Sequence, residues 1–314
     1  MIEITADENY NRLDIFISLM AEVTRSYAGK IIKTGNVQNL SEAKSPFNSG
    51  EKNLKPSSKV KAGDKFLITL PEINQDLQPE DIPIEIVYAD EFLAVINKPA
   101  GLVVHPAVGN YEHTLLNGLI KIFPEIKNLN DKNRPGIVHR LDAGTSGLMI
   151  VAREQKACDE LKRMFQAREV KKKYLALVHG CPKLKEGILF GAIDHDPDNY
   201  LKMALIEGGR PAMTGYKILW TRKNLDGEKI SLAQCDLFTG RTHQIRVHLS
   251  ALGCPLIGDV LYGADKREKN LRVLLHSWRL EFKHPTTKKL LSFKKYLPED
   301  FLSYIRGKIT KILF

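Results

Sequence analysis

The sequence predicts an α+β protein of more than one domain, and three observations carry that expectation. Near the N-terminus, Leu13, Phe16, Ile17 and Met20 recur at i, i+3, i+4 and i+7, the spacing of a helix with one apolar stripe. Further on, short β-branched and apolar runs such as 84–87, 92–96 and 148–152 lie between glycine, proline and acidic turns, as strands do. At 314 residues the chain also exceeds the size of a typical single domain, about 150 residues.

Forty-seven Lys and Arg against 37 Asp and Glu give a net charge of +10, which draws a chain toward polyanions, either nucleic acid or an anionic membrane surface. The acidic start M-I-E-I-T-A-D-E lacks the basic and apolar regions of a secretory signal, and no run of about 18 apolar residues suggests a membrane span. A cytoplasmic protein is expected. Cys158, Cys181, Cys235 and Cys254 are scattered without paired spacing, so reduced thiols are expected rather than disulfides or a zinc site.

Taken in order, the first helix is expected over 11–23 and a second from Thr24 as N-cap to near Gly35. Tyr27, Ala28, Ile31 and Ile32 fall on one side of the second helix, and Arg25, Lys30 and Lys33 on the other, so that one face packs and one is basic, as a solvated surface would also be. Residues 40–58 turn to Ser, Asn, Lys, Glu and Pro, with little to bury, and read as a mobile loop. A turn and short strand follow over 60–70. Residues 74–81 read as a linker, which divides the chain into a small domain, 1–73, and a large one, 82–314.

The large domain opens with two strands, 84–87 and 92–96, and leads through Asn97-Lys98-Pro99 into a Pro/Gly turn and a returning strand ending at His105. Next comes I-V-H-R-L-D-A-G-T-S-G-L-M-I-V-A-R, residues 137–153, read as two strands around a polar loop. Gly144 and Gly147 mark the bend, and the loop presents Asp142 beside His139 and Arg140 at a strand end, where reactive side chains tend to sit. Ala157, Leu161, Met164 and Phe165 predict a helix over 154–166. Three lysines, 171–173, read as an exposed strand edge before Tyr174, and further strands are expected around 202–204 and 212–216.

In the block 237–249, Thr242 is the expected N-cap of a helix whose buried stripe is Ile245, Leu249 and Leu252, with Gly253 and Pro255 ending it. Arg241 then sits just outside a helix N-terminus, a natural place to hold a phosphate or a carboxylate such as Asp142. A metal is not expected: His243 and His248, five apart, do not share a helix face. Strand-like runs and a closing segment, 300–309, complete the chain.

The strings H-R-L-D-x-x-T-S-G-L-x-x-V-A from His139, N-K-P-x-x-L-V-V-H-P from Asn97, K-x-Y at Tyr174 and G-R-T-H-Q-I-R-V-H from Gly240 together resemble the RluA/RluD-type pseudouridine synthases. Over residues 1–73 the two helices and the V-K-A-G-D turn at Val60 resemble an S4 RNA-binding domain. The resemblance implies a mostly antiparallel sheet with flanking helices, and the isomerisation of uridine to its C-glycoside. The substrate it implies is large-subunit (23S) ribosomal RNA, for a monomeric chain without cofactor. In that scheme Asp142 is the nucleophile or base, Arg241 pairs with it, and the Tyr174 ring lies against the base. His139, Arg140, Lys98, Arg246, Arg25, Lys30 and Lys33 contact RNA. Binding and modification of another ribosomal site or of tRNA, or RNA binding without catalysis, are the alternative readings. The intact set of Asp142, Tyr174 and Arg241 argues against an idle binding protein.

Overall fold

The computed structural model describes residues 2–21, 25–41, 54–69, 77–106, 112–197 and 199–308. Within them lie two compact units, one drawn from residues up to Asp76 and the other from Leu77 onward. Most of the segment read as a mobile loop lies outside the described residues, as does Thr24.

In the first unit, β1 (Ile2–Thr5), α1 (Leu13–Met20), α2 (Arg25–Lys33), β2 (Val37–Asn39) and β3 (Lys65–Ile68) follow one another. The strands form an antiparallel sheet in the order β1-β3-β2. The apolar stripes of both helices meet that sheet: Leu13, Phe16, Ile17, Ala28, Ile31 and Ile32 pack with Phe66 and Ile68. This leaves Lys30 and Lys33 exposed. The V-K-A-G-D turn is closed by Asp64, whose carboxylate accepts from Lys61 N–H at 2.8 Å, while Gly63 takes φ 88°.

The second unit is built on a ten-stranded sheet. Its strands are β4 (Glu85–Ala89), β5 (Leu93–Lys98), β6 (Ser146–Ala152), β7 (Lys171–His179), β8 (Glu186–Asp196), β9 (Asn199–Leu205), β10 (Arg210–Lys223), β11 (Lys229–Leu237), β12 (Leu275–Lys283) and β13 (Leu290–Lys294). They run β4-β5-β6-β12-β7-β11-β10-β8-β9, with β13 on β12. Every pairing is antiparallel except β6 with β12. Four helices flank the sheet: α3 (Leu115–Ile122), α4 (Gln155–Gln166), α5 (Gln244–Ala251) and α6 (Glu299–Lys308). The α+β class with a mostly antiparallel sheet is therefore what the molecule has.

Two expected strands are absent. Residues 137–141 make only an isolated bridge, Ile137 to Val151, because the chain must leave the sheet there to form the loop at Asp142. The return through 102–104 is not a strand either; the Val103 and Val104 carbonyls accept the free N–H groups of Leu115 and Leu116 at the start of α3. At the parallel join, Gly147 holds φ 115° and a Cβ there would lie 2.3 Å from the Ser277 carbonyl oxygen, so only glycine lets β6 approach β12. Beside it, buried Ser146 donates to His276 Nδ1 at 2.9 Å, and His276 Nε2 donates to the Lys295 carbonyl at 3.2 Å.

Candidate active site

The loop before β6, the inward face of β7, the end of β11 and the start of α5 converge on one cleft of about 460 Å³. Asp142, Tyr174 and Arg241 all line it, with His139, Arg140 and Arg246. The sequence thus brings its three expected catalytic residues together. The partnerships among them differ from expectation.

The loop carrying Asp142 is tied down by its backbone. The Asp142 carbonyl accepts from Thr145 N–H at 3.0 Å, and the Ala143 carbonyl accepts from Gly101 N–H at 2.8 Å. It also accepts from Lys98, whose buried ammonium donates to the carbonyls of Pro99 and Leu102, both at 2.8 Å, and of Ala143 at 3.1 Å. All three ammonium protons are used, and burial pushes the group down to about 7 against the pull of Asp142. Lys98 is fully buried and so is not the RNA contact that the resemblance implied; it clamps the loop.

The cation beside Asp142 is Arg246 rather than Arg241. Arg246 Nη1 stands 3.5 Å from Asp142 Oδ2, and Nε and Nη2 donate to the buried Asp259 at 2.7 and 2.9 Å. Its guanidinium also lies 4.8 Å from the centre of the Tyr262 ring. Arg246 is therefore held inside the site and is not available for RNA backbone. Arg241 instead donates from Nε to the Pro211 carbonyl at 3.1 Å. The reason is local: α5 starts at Gln244, with His243 as its N-cap in the left-handed region at φ 53°, and Thr242 does not cap it. Among the described residues no side chain caps α5; Gln244 Oε1 instead ties down the preceding turn, accepting from Arg241 N–H at 3.0 Å and from Thr239 Oγ1 at 2.7 Å.

His243 was not expected in the site. Its Nε2 is 4.0 Å from Asp142 Oδ2 and its Nδ1 is 2.9 Å from the Tyr262 hydroxyl. That hydroxyl also accepts from Met203 N–H at 2.7 Å, which fixes the Tyr262 oxygen against the imidazole. Burial and the charge of Arg246 push His243 below the ordinary imidazole value, against the pull of Asp142. The strings at Ile257-Gly258-Asp259 and Leu261-Tyr262-Gly263 were the available signal for this support.

His139 accepts from Ile150 N–H at 2.8 Å and stacks on Phe165 at 4.5 Å, so it orients the loop. Burial, with Lys172 nearby, pushes its pKa down to about 3. Arg140 is exposed at the rim. The Tyr174 ring is buried, and burial pushes its hydroxyl well above the ordinary phenol value, so it stays protonated. The three lysines before it are not one exposed edge. Lys171 pairs with Glu281 at 2.8 Å and Lys173 with Asp236 at 3.2 Å, whereas Lys172 lines the cleft, 5.5 Å above Phe165, with burial pushing it down to about 8. Lys30 and Lys33 lie on α2 of the other unit, as does the backbone of Arg25. Among the described residues no group of three or more His, Cys, Asp or Glu side chains could hold a metal ion.

Residues 92–251, which carry the Asp142 loop, Tyr174 and the start of α5, match the RNA pseudouridylate synthase family. The chain belongs to that family. It is an RNA pseudouridine synthase, an isomerase that converts uridine in RNA to pseudouridine. The chain is 36% identical to an uncharacterized RNA pseudouridine synthase of Aquifex aeolicus, with 96% of this chain and 95% of the relative covered. It is 37% identical to ribosomal large subunit pseudouridine synthase D of Zymomonas mobilis, covering 92% and 91%, and 42% identical to the protein of that name from Nitrosomonas europaea, covering 75% and 68%. Human RNA pseudouridylate synthase domain containing 1 superposes with a TM-score of 0.59 at 28% identity, over 74% of this chain and 93% of that one.

Proposed function

We propose that this synthase modifies uridines of large-subunit (23S) ribosomal RNA, with Asp142 as the reacting carboxylate on a uridine turned out of its helix into the cleft. The observation that carries the reading is Asp142 at the cleft wall, 3.5 Å from an arginine that a second, buried aspartate holds in place. An ionised carboxylate needs such a partner once a base has displaced water, since an unpaired one would protonate. The reaction breaks the bond from sugar C1′ to N1, turns the base, and joins C1′ to C5; C5 loses its proton and N1 gains one. Asp142 either attacks the sugar or takes a proton from it. The Tyr174 ring supports the uracil face, and Arg241, which pairs with no carboxylate among the described residues, fills the gap left in the RNA stack.

The names of the Zymomonas and Nitrosomonas relatives support the ribosomal substrate. The small unit, with its two helices and V-K-A-G-D turn, serves as an S4-like RNA-binding domain over 1–73, linked through 74–81 to the catalytic domain 82–314, in a monomeric cytoplasmic protein. Mapping pseudouridine in unmodified large-subunit RNA after incubation with wild type and with Asp142→Asn tests this. New sites with wild type alone are expected, with activity of the variant lower by at least about 100-fold. Sites that form only in tRNA would overturn the ribosomal assignment, and equal activity of Asp142→Asn would overturn the role of the carboxylate.

A further inference from the structure

The solvent face of β8, β10 and β11 carries a trough beside the cleft. Ile188 and Phe190 of β8 are 65% and 75% exposed, although both are large apolar side chains in the interior of a strand. Across β10 they pair with Gly215 and Met213, and beyond β10 stand Asp236, paired with Gly215, and Phe238, whose N–H donates to the Met213 carbonyl. The two walls are two strand spacings apart, about 10 Å, which admits one flat ring between their side chains. Gly215 forms the floor: a Cβ there would lie 3.2 Å from the Phe238 ring and 3.5 Å from Asp236, closing the space. The hollow itself, about 320 Å³, lies between Ile188, Gly215 and Phe238, with Phe190 outside it at the next position along the same face of β8; at one end Gln234 donates to Asp236 at 3.2 Å beside the Lys217–Glu186 ion pair, giving it hydrogen-bonding groups as well as apolar walls.

Two features say what covers it. Phe238, just past the end of β11, borders both the trough and the catalytic cleft, so whatever passes from the cleft around that strand end meets the trough next. At the other end, Arg241 lies against the carbonyl of Pro211, two residues before Met213, close enough to Arg210 and Arg168 for their charges to repel it. None of these three arginines makes an ion pair among the described residues. Apolar ring-sized space beside three unpaired guanidiniums matches a nucleotide chain, bases on the walls and phosphates on the arginines.

We propose that the trough between Ile188 and Phe238, with the exposed Phe190 ring beside it, binds an unpaired base of the substrate RNA, a few nucleotides from the target uridine. The inference rests on RNA entering the cleft as proposed above. The side chains act by stacking and by excluding water, and the phosphates between the two bases run past Arg241, Arg210 and Arg168.

The test uses the full chain and an unmodified large-subunit RNA transcript, with the double variant Ile188→Ser/Phe190→Ser, which changes only exposed side chains, and with Phe190→Tyr. The expected result is a 5- to 100-fold rise in Kd, roughly the range for losing one stacked base, with near wild-type affinity in Phe190→Tyr. Irradiating the wild-type complex with transcript carrying 5-bromouridine should join RNA to Phe190, Met213 or Phe238. Wild-type affinity in the double variant with no such crosslink, while the wild type still forms pseudouridine, overturns the trough and leaves the catalytic reading intact. A wild type that neither binds nor modifies RNA overturns both. If light scattering instead finds a wild-type dimer that the double variant dissociates, with RNA affinity unchanged, the face is a contact between two copies and the proposal fails.

Discussion

Arg246 grips Asp259 with two hydrogen bonds, 2.7 and 2.9 Å long, and extends its third nitrogen to within 3.5 Å of Asp142. Asp259 thereby fixes a cation that serves a different carboxylate. Replacing Arg246 by Met leaves Asp259 charged, buried and alone, so the fold should lose about 3–5 kcal/mol, read by urea denaturation. Arg246→Lys keeps the charge but not the two-pronged grip. It should remain better folded yet lose activity by about 100-fold or more, and near wild-type turnover by Arg246→Lys would show that the grip is dispensable.

Among the described residues the Arg241 side chain has no carboxylate partner and a single hydrogen bond, to the Pro211 carbonyl. Arg241→Ala should therefore stay within about 0.5 kcal/mol of wild-type stability. Its RNA affinity should fall, with the slope of log affinity against log salt smaller by about 1. A variant that unfolds readily but binds RNA with an unchanged salt slope would contradict this.

Lys98 donates to three carbonyls, one of them in the residue after Asp142. Lys98→Met fits the space but strands those acceptors, and should destabilise the fold on the order of 3 kcal/mol. Because Ala143 adjoins Asp142, turnover at saturating RNA should drop even below the melting range. Full turnover at low temperature would mean that Gly101 N–H alone suffices to hold the loop.

His276 is buried neutral between Ser146 and the Lys295 carbonyl, and burial pushes it down to about 4. An unfolded chain takes up that proton near pH 6.5, so its contribution to stability is complete above pH 6.5 and is lost as the pH falls toward 4. The gap corresponds to roughly 3 kcal/mol. His139, pushed down to about 3, adds a loss of the same sign. Urea unfolding across this range should show a shallower decline for His276→Gln than for wild type; parallel curves would contradict the assignment.

The strings around Asp142 and Gly240 were enough to locate the cleft, because both end at turns whose residue types are tied to the turn itself. They could not say which arginine faces Asp142. Spacing counted from Thr242 places Arg241 at the helix mouth, but the left-handed turn at His243 shifts the start of α5 and brings Arg246 inward. A non-glycine residue in that conformation carries no periodic signal. Lys98 misled for a related reason: lysine is seldom buried, and only the meeting of three carbonyls from two distant segments makes burial tolerable there. The strand expected over 137–141 failed because apolar character reports burial, which a loop crossing under a sheet can share with a strand.

The position of β12 has a consequence for how the enzyme comes into being. Among the described residues, β12 is the only strand joining β4, β5 and β6 to the array that begins at β7, yet it is drawn from residues 275–283. Asp142 leads into one half of the sheet and Tyr174 lies in the other. A nascent chain can close hairpins within each half as they emerge, but the halves have no shared strand until residues 275–283 have left the ribosome. The sheet cannot join the two sides of the cleft before β12 has been made, which ties the onset of catalysis to that one strand rather than to either half.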